Sequence, residues 1–154
     1  MKRLGILLAS LSVILLGCAV GKTIYNDSYL VINVLDKKLF LDCHIKGSVS
    51  VPFDLVDDFA TKVDKNVPVV FYCSNYSCTA SGIARDRLKA LGFTDVKAYE
   101  GGIAEWYQLG FPTEGPAQSG YLTGENERPL DYWDDADHIT AETLHQHMVD
   151  YGLL

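Results

Sequence analysis

Along the first two thirds of the chain, short continuous apolar runs alternate with stretches in which apolar residues recur every three or four positions. Tyr29 to Leu35 (YLVINVL) is nearly all apolar, the pattern of a strand covered on both faces in a parallel sheet, and Asp36-Lys37-Lys38 breaks it. Leu39 to Cys43 leads to Gly47, which marks a turn, and Ser48 to Val51 reads as a short strand. Pro52 suits a helix entrance, and Phe53, Val56, Phe59, Ala60 and Val63 follow at helical spacing. Val67 to Tyr72 is a second buried strand. After a polar loop comes a helix from Ala80 to Leu91, closed by Gly92. Asp95 to Tyr99 is a further strand, and Gly101-Gly102 opens a short helix, Ile103 to Leu109, stopped by Gly110 and Pro112. Strands alternating with helices predict an α/β fold with a parallel sheet, whose ligands bind beyond the carboxyl ends of the strands.

Cys73 stands at such an end. The loop Cys73-Ser74-Asn75-Tyr76-Ser77-Cys78-Thr79 joins a strand to a helix amino terminus. Successive backbone N–H groups and the helix dipole favour an anion there, which suits a thiolate. Cys73 is therefore the candidate nucleophile, and Ser74, Asn75, Tyr76, Ser77, Cys78 and Thr79 form the candidate anion cradle.

Charge separates the remainder of the chain from this unit. The whole carries a net charge of −7, and from Glu114 onward Arg128 alone opposes nine acidic residues. Nucleic acid is thereby excluded as a partner, because binding it needs a basic footprint. Gly115 to Asp137 reads as a solvated, partly disordered segment. Thr140 then suits a helix N-cap, and Leu144, Met148 and Tyr151 form an apolar stripe, so a helix is expected over 139–151. His138, His145 and His147 fall in the same region. The last two, two positions apart, point in different directions on a helix, so no shared metal site is expected.

The amino end has a positive start (Lys2, Arg3), an apolar run from Leu4 to Leu16, and Leu15-Leu16-Gly17-Cys18. The run is short for a bilayer span of roughly 20 residues and fits a secretory signal. Its ending resembles a bacterial lipobox. By that resemblance, residues 1–17 are a signal peptide, and Cys18 becomes the acylated amino terminus that anchors the chain to a membrane of the cell envelope. Ala19 rather than aspartate after the cysteine points to the outer membrane, facing the periplasm, in a Gram-negative cell. Residues 18–28 then serve as a tether, 29–114 as the folded domain, and 115–154 as an acidic tail whose helix is expected to pack on the domain.

Three ordered motifs carry a family resemblance. His44-Ile45-Lys46-Gly47-Ser48-Val49-Ser50-Val51-Pro52 resembles the G-H-I-P-G-A-x-x-I-P segment of rhodanese-like domains. Tyr99 to Trp106 with Gly110-Phe111-Pro112 is similar to their closing G-G-x-x-x-W…G-x-P, and the cysteine loop lies between. The resemblance implies a three-layer fold, a central parallel sheet flanked by helices, and a sulfurtransferase. In that chemistry the loop cysteine takes sulfur from a small donor such as thiosulfate, holds it as a persulfide and passes it to an acceptor such as a thiol, with no cofactor or metal. The loop length matches the family's sulfur-handling branch rather than its phosphatases. His44 reads as structural, Cys43 as a small buried residue, and Arg85 and Arg87 as solvated surface charge.

The sequence departs from the family at the site. Cys78 occupies the position of the usual loop arginine, Tyr76 that of a glycine, and Asn33-Val34-Leu35 replaces a strand-ending Asp-x-Arg. Both arginines that would bind an anionic donor bidentately are absent. Cys78 is instead a candidate resolving or disulfide partner for Cys73. Two classes stay open: a membrane-tethered sulfurtransferase or persulfide carrier, and a noncatalytic envelope binding module or thiol redox protein with a Cys73–Cys78 disulfide. The carboxyl-terminal helix also resembles the I-[ST]-x-x-E-L helix that begins rhodanese-like domains. It is expected to pack where that first helix sits.

Overall fold

The computed structural model describes residues 28–154. The expected signal peptide, Cys18 and nearly all of the expected tether lie outside the described residues. In chain order the elements are β1 (Leu30–Asn33), α1 (Lys37–Asp42), β2 (His44–Ile45), β3 (Val49–Ser50), α2 (Val56–Ala60), β4 (Val69–Tyr72), α3 (Ala80–Ala90), β5 (Val96–Tyr99), α4 (Gly102–Gln108), β6 (Thr113–Glu114) and α5 (Ala141–Asp150). Four strands form one parallel sheet in the order β3-β1-β4-β5, with Ile32 beside Phe71 and Phe71 beside Ala98. The two-residue strands β2 and β6 pair antiparallel, His44 opposite Glu114. This is the parallel α/β architecture that the strand–helix alternation predicts.

Period-two alternation sends side chains from each strand into two cores. On one face Leu30, Ile32, Val69, Phe71 and Cys73 meet Val56 and Phe59 of α2 and Ala84 and Leu88 of α3. On the other, Val31, Val70, Tyr72 and Tyr99 meet Ile103 and Trp106 of α4 and Leu144 and Met148 of α5. Coverage of both faces explains why β1 and β4 are apolar at nearly every position.

Three features differ from the pattern-based expectation. The break at Asp36-Lys37-Lys38 begins a helix: the Asp36 carboxylate accepts the Leu39 N–H at 2.9 Å and caps α1. The helix expected from Phe53 to Val63 is a 3-10 turn at Phe53–Leu55 followed by the five-residue α2. Gly115 to Asp137 is solvent-exposed along most of its length, as expected, but is pinned to the domain rather than disordered. The Asp42 carboxylate accepts the backbone N–H groups of Gln118 (2.9 Å) and Ser119 (3.0 Å), Leu122 is buried, and the Tyr132 hydroxyl meets the carbonyls of Ala98 and Ile139. A few isolated anchors suffice, and they leave no periodic signature.

The segment before α5 also covers the β5 edge. Ala98 donates its N–H to Asp137 O at 2.8 Å, and Ile139 donates to Ala98 O at 3.1 Å, so an otherwise open ladder is partnered. Thr140 caps α5 by accepting the Thr143 N–H. Leu144 and Met148 are fully buried, Tyr29 stacks on Tyr151 with centroids 4.7 Å apart, and the Tyr29 hydroxyl meets His147 Nδ1 at 3.2 Å. The last helix thus lies against the residue that leads into the first strand.

Candidate active site

Cys73 follows directly on β4, at the carboxyl end of an internal strand. The loop after it is held from below by α4: Ile103 donates to Cys73 O at 3.0 Å, and Ala104 donates to Ser74 O at 2.9 Å. This approach is close enough that only a hydrogen fits at Gly102. Its φ is +63°, and a Cβ there would come within 2.5 Å of Ser74 C and 2.6 Å of Asn75 N. The second glycine of the pair is thereby accounted for by the loop it supports.

Within the loop most polar groups are turned on one another. Asn75 O accepts the Cys78 N–H at 3.0 Å, and Asn75 Oδ1 accepts the Ser77 N–H at 3.2 Å. The Tyr76 N–H is taken by Asn126 Oδ1 at 3.0 Å, while Asn126 Nδ2 donates to Gly101 O at 3.0 Å, so a tail residue straps the loop to α4. Three of the expected cradle donors are therefore engaged within the fold.

The two cysteine sulfurs have different surroundings. Cys73 is fully buried, and its sulfur lies 3.2 Å from Cys78 O, 3.9 Å from Asn75 O and 3.5 Å from Ser81 Oγ. Its thiol donates to Cys78 O, and the neighbouring Cys78 side chain together with burial pushes its pKa well above the ordinary thiol value. Cys78 is half-buried between exposed Ser77 and Thr79. The Cys73 thiol, the N–H groups of Ala80 and Ser74 and the Ser74 hydroxyl all face its sulfur and, against some desolvation, lower its pKa to about 5. The expected amides are divided between the two sulfurs: those of Ser74 and Ala80 face Cys78, and that of Ser81 faces Cys73. Cys78 stands at the position of the family's arginine, where the loop wraps over Cys73. Both cysteines are free thiols, as is buried Cys43.

A second polar cluster supports the loop from the side. Glu105, 7% exposed, accepts hydrogen bonds from the Tyr76 hydroxyl (3.0 Å), the Tyr99 hydroxyl (2.9 Å) and Arg128 Nε (2.9 Å). Arg128 also reaches Glu142 at 3.0 Å. Burial and the Glu105 charge together push the hydroxyls of Tyr76 and Tyr99 up, so both remain donors. Thus the tail's one basic residue neutralises a buried carboxylate beneath the cysteine loop. Glu105, Arg128 and Asn126 escape sequence reasoning because their joint partners are distant in the chain, and Ser81 because nothing in its position eight residues after Cys73 marks it as a contact. Arg128 alone carried a signal, as the single cation among nine acids.

The other candidates have local structural partners. His44 Nδ1 donates to Phe40 O (2.8 Å), and the ring lies 3.3 Å from Glu114 and stacks on Phe40. Arg85 meets Asp137 O and His138, and Arg87 lies 4.5 Å over the Phe53 ring, so neither is simply solvated. His138 packs near Glu100 and Asp135, His145 stacks on Phe111, and His147 meets Tyr29. A cavity of about 380 Å³ lined by Tyr29, Pro68, Asp95 and Tyr151 opens at the amino ends of the strands, away from the cysteines.

Comparison with known proteins agrees with this geometry. The sequence model of the rhodanese-like domain matches residues 20–109. A thiosulfate sulfurtransferase GlpE of Pseudomonas savastanoi pv. phaseolicola is 32% identical over 86 residues, covering 56% of this chain and 79% of that protein. An uncharacterized protein of Synechocystis, slr1261, is 28% identical over 88 residues, and the match spans about half of its length (48%). Among solved structures, the BH2092 protein of Bacillus halodurans superposes with a TM-score of 0.54 at 27% identity, covering 59% of this chain and 66% of that one. The rhodanese_3-like domain of Alr3790 from Anabaena gives 0.50 at 31% identity, with 56% of this chain and 99% of that domain covered. Matched over more than half its length, with its cysteine loop on the carboxyl end of an internal parallel strand, the chain belongs to the rhodanese-like domain family.

Proposed function

We propose that this chain is a sulfur carrier of the sulfurtransferase type. Its 73–79 loop takes a sulfur atom from a small sulfane-sulfur donor and gives it to a thiol. One observation carries the reading: two free cysteines share the loop at the strand end where an α/β sheet binds its ligands, with Cys73 Sγ 3.2 Å from Cys78 O. The names of the GlpE relatives support thiosulfate as one donor. A loop without a cation supports it less, since Cys78 replaces the expected arginine, and an uncharged donor needs no such contact. The test exposes the reduced full chain, without oxygen, to thiosulfate or inorganic polysulfide and then maps the loop peptide by mass. An extra sulfur or donor-dependent oxidation at the loop is expected, absent from the Cys73→Ser/Cys78→Ser double variant. Loop cysteines that emerge unchanged overturn the reading.

The same proposal places the domain at a bacterial envelope membrane, held by acylated Cys18. The motif Leu15-Leu16-Gly17-Cys18 supports this. Palmitate labelling of the chain in cells, lost in Cys18→Ser, is the expected result, and an unlabelled chain refutes the anchor.

A further inference from the structure

We propose that Cys78 is the sulfur that meets the donor, and that Cys73 beneath it resolves the loaded sulfur, so that the loop alternates between a dithiol and a Cys73–Cys78 disulfide. This rests on the sulfur-carrier reading and reverses the roles that the loop position alone suggests. Exposure assigns the first role: Cys73 has no accessible surface, whereas Cys78 sits between two exposed residues. Hydrogen bonding agrees. The N–H groups of Ser74 and Ala80, the latter the first residue of α3, face the Cys78 sulfur and stabilise its anion. Around Cys73 the carbonyls of Cys78 and Asn75, which accept from a thiol and repel a thiolate, oppose the Ser81 N–H. Cys73 therefore keeps its proton while Cys78 is charged.

Loading changes that balance. The Cys78 thiolate attacks the outer sulfur of thiosulfate, forming one S–S bond and expelling sulfite with the electron pair of the broken bond. The charge then resides on the outer sulfur of the persulfide, away from the Cys78 Sγ that faced Cys73. The cause that most strongly held the Cys73 proton is thereby removed. The Ser81 hydroxyl, 3.5 Å away and itself buried, and the Ser81 N–H are in place to stabilise the Cys73 anion as it forms. Cys73 attacks Cys78 Sγ, and its proton leaves with the outer sulfur as hydrosulfide. The sulfane sulfur gains two electrons and each cysteine loses one, giving the disulfide. A low-molecular-weight thiol, as co-reactant, returns the pair to the dithiol by exchange. Where no acceptor thiol has taken the outer sulfur first, then, the site turns sulfane sulfur into sulfide at the expense of thiols.

The test uses the full chain, reduced and without oxygen. In a brief iodoacetamide pulse at pH 6, Cys78 is expected to react on the order of tenfold faster than Cys73 or Cys43, its thiolate fraction outweighing its weaker nucleophilicity. With thiosulfate or inorganic tetrasulfide, wild type yields the Cys73–Cys78 disulfide, and the donor-free control remains dithiol. Cys73→Ser retains the extra sulfur on Cys78, and Cys78→Ser loads nothing. Two results overturn the inference while leaving the sulfur-carrier reading standing: Cys78→Ser loading Cys73 as fully as wild type, or wild type accumulating a persulfide on Cys73. If no variant and no wild-type chain takes up or is oxidised by either donor, the reading falls and this inference with it.

Discussion

Gly102 and Gly110 both have positive φ, +63° and +71°, but only one of them lies under the cysteine loop. Replacing each by alanine separates the conformational cost from the cost of contact. An alanine at Gly110 meets nothing within 4 Å, so it bears only the left-handed penalty of about 1–2 kcal/mol. Gly102→Ala bears the same penalty and also drives a Cβ into backbone: 2.5 Å from Ser74 C and 2.7 Å from Cys73 O. Backbone cannot rotate away, so the loop must lift. Overpacking adds roughly 1–3 kcal/mol. Weakening the Ile103 N–H to Cys73 O and Ala104 N–H to Ser74 O bonds adds about 1 kcal/mol each. Gly102→Ala is thus expected to cost at least about 2 kcal/mol more than Gly110→Ala. With a urea slope of about 1–3 kcal/mol/M, that separates the denaturation midpoints by roughly 1 M. Native-state alkylation of Cys78 supplies the local readout: the rate changes in Gly102→Ala and stays at the wild-type value in Gly110→Ala. Coincident midpoints would refute the claim that the glycine pair exists to let α4 approach the loop.

Arg128→Met leaves Glu105 buried with only its two tyrosine donors. Breaking a buried pair costs about 3–5 kcal/mol, and the exposed third of Arg128 reduces this to about 2 kcal/mol, visible as a lower urea midpoint; an unchanged midpoint removes the clamp from the account. Leu144→Ala empties a fully buried site between α5 and the sheet and is expected to cost about 2–5 kcal/mol, with faster amide exchange through α5; a loss below about 1 kcal/mol denies that helix a structural role. The cysteine pair predicts a pH profile. Since the Cys78 pKa is depressed in the fold to about 5, the unfolded chain binds the extra proton between that value and the ordinary thiol value of 9.0. Stability therefore rises with pH across this window and is lost as pH falls through the folded pKa. Cys73, raised in the fold, acts oppositely and removes stability above about pH 9. Urea midpoints at pH 6 and 8 should differ in wild type and converge in Cys78→Ser; an equal slope in the variant assigns the effect to other groups.

Short-range pattern by itself determined much of this protein. Apolar runs at Tyr29–Leu35 and Val67–Tyr72, punctuated by Gly47, Pro52, Gly92 and Gly101-Gly102, specify a parallel α/β sheet, because a strand covered on both faces must be apolar at successive positions. The motifs around His44, Cys73 and Trp106 pointed to the family, and strand-to-helix order put a cysteine at a sheet end. Helix α1 was missed because its cap, Asp36, reads equally well as a break; the tail was missed because Leu122, Asn126, Arg128 and Tyr132 are anchors spread over eleven positions with no period.

Only the tertiary structure decided which sulfur is charged. Residue type and spacing say that two cysteines share a loop, but a thiol's ionisation depends on which N–H and C=O groups surround it within a few ångströms. Those directions are set by how the loop curls over β4 and how α4 holds it from beneath. Here the carbonyls of Asn75 and Cys78 turn toward Cys73 and the amides of Ser74 and Ala80 toward Cys78, an assignment fixed by backbone geometry and therefore invisible in the order of the residues.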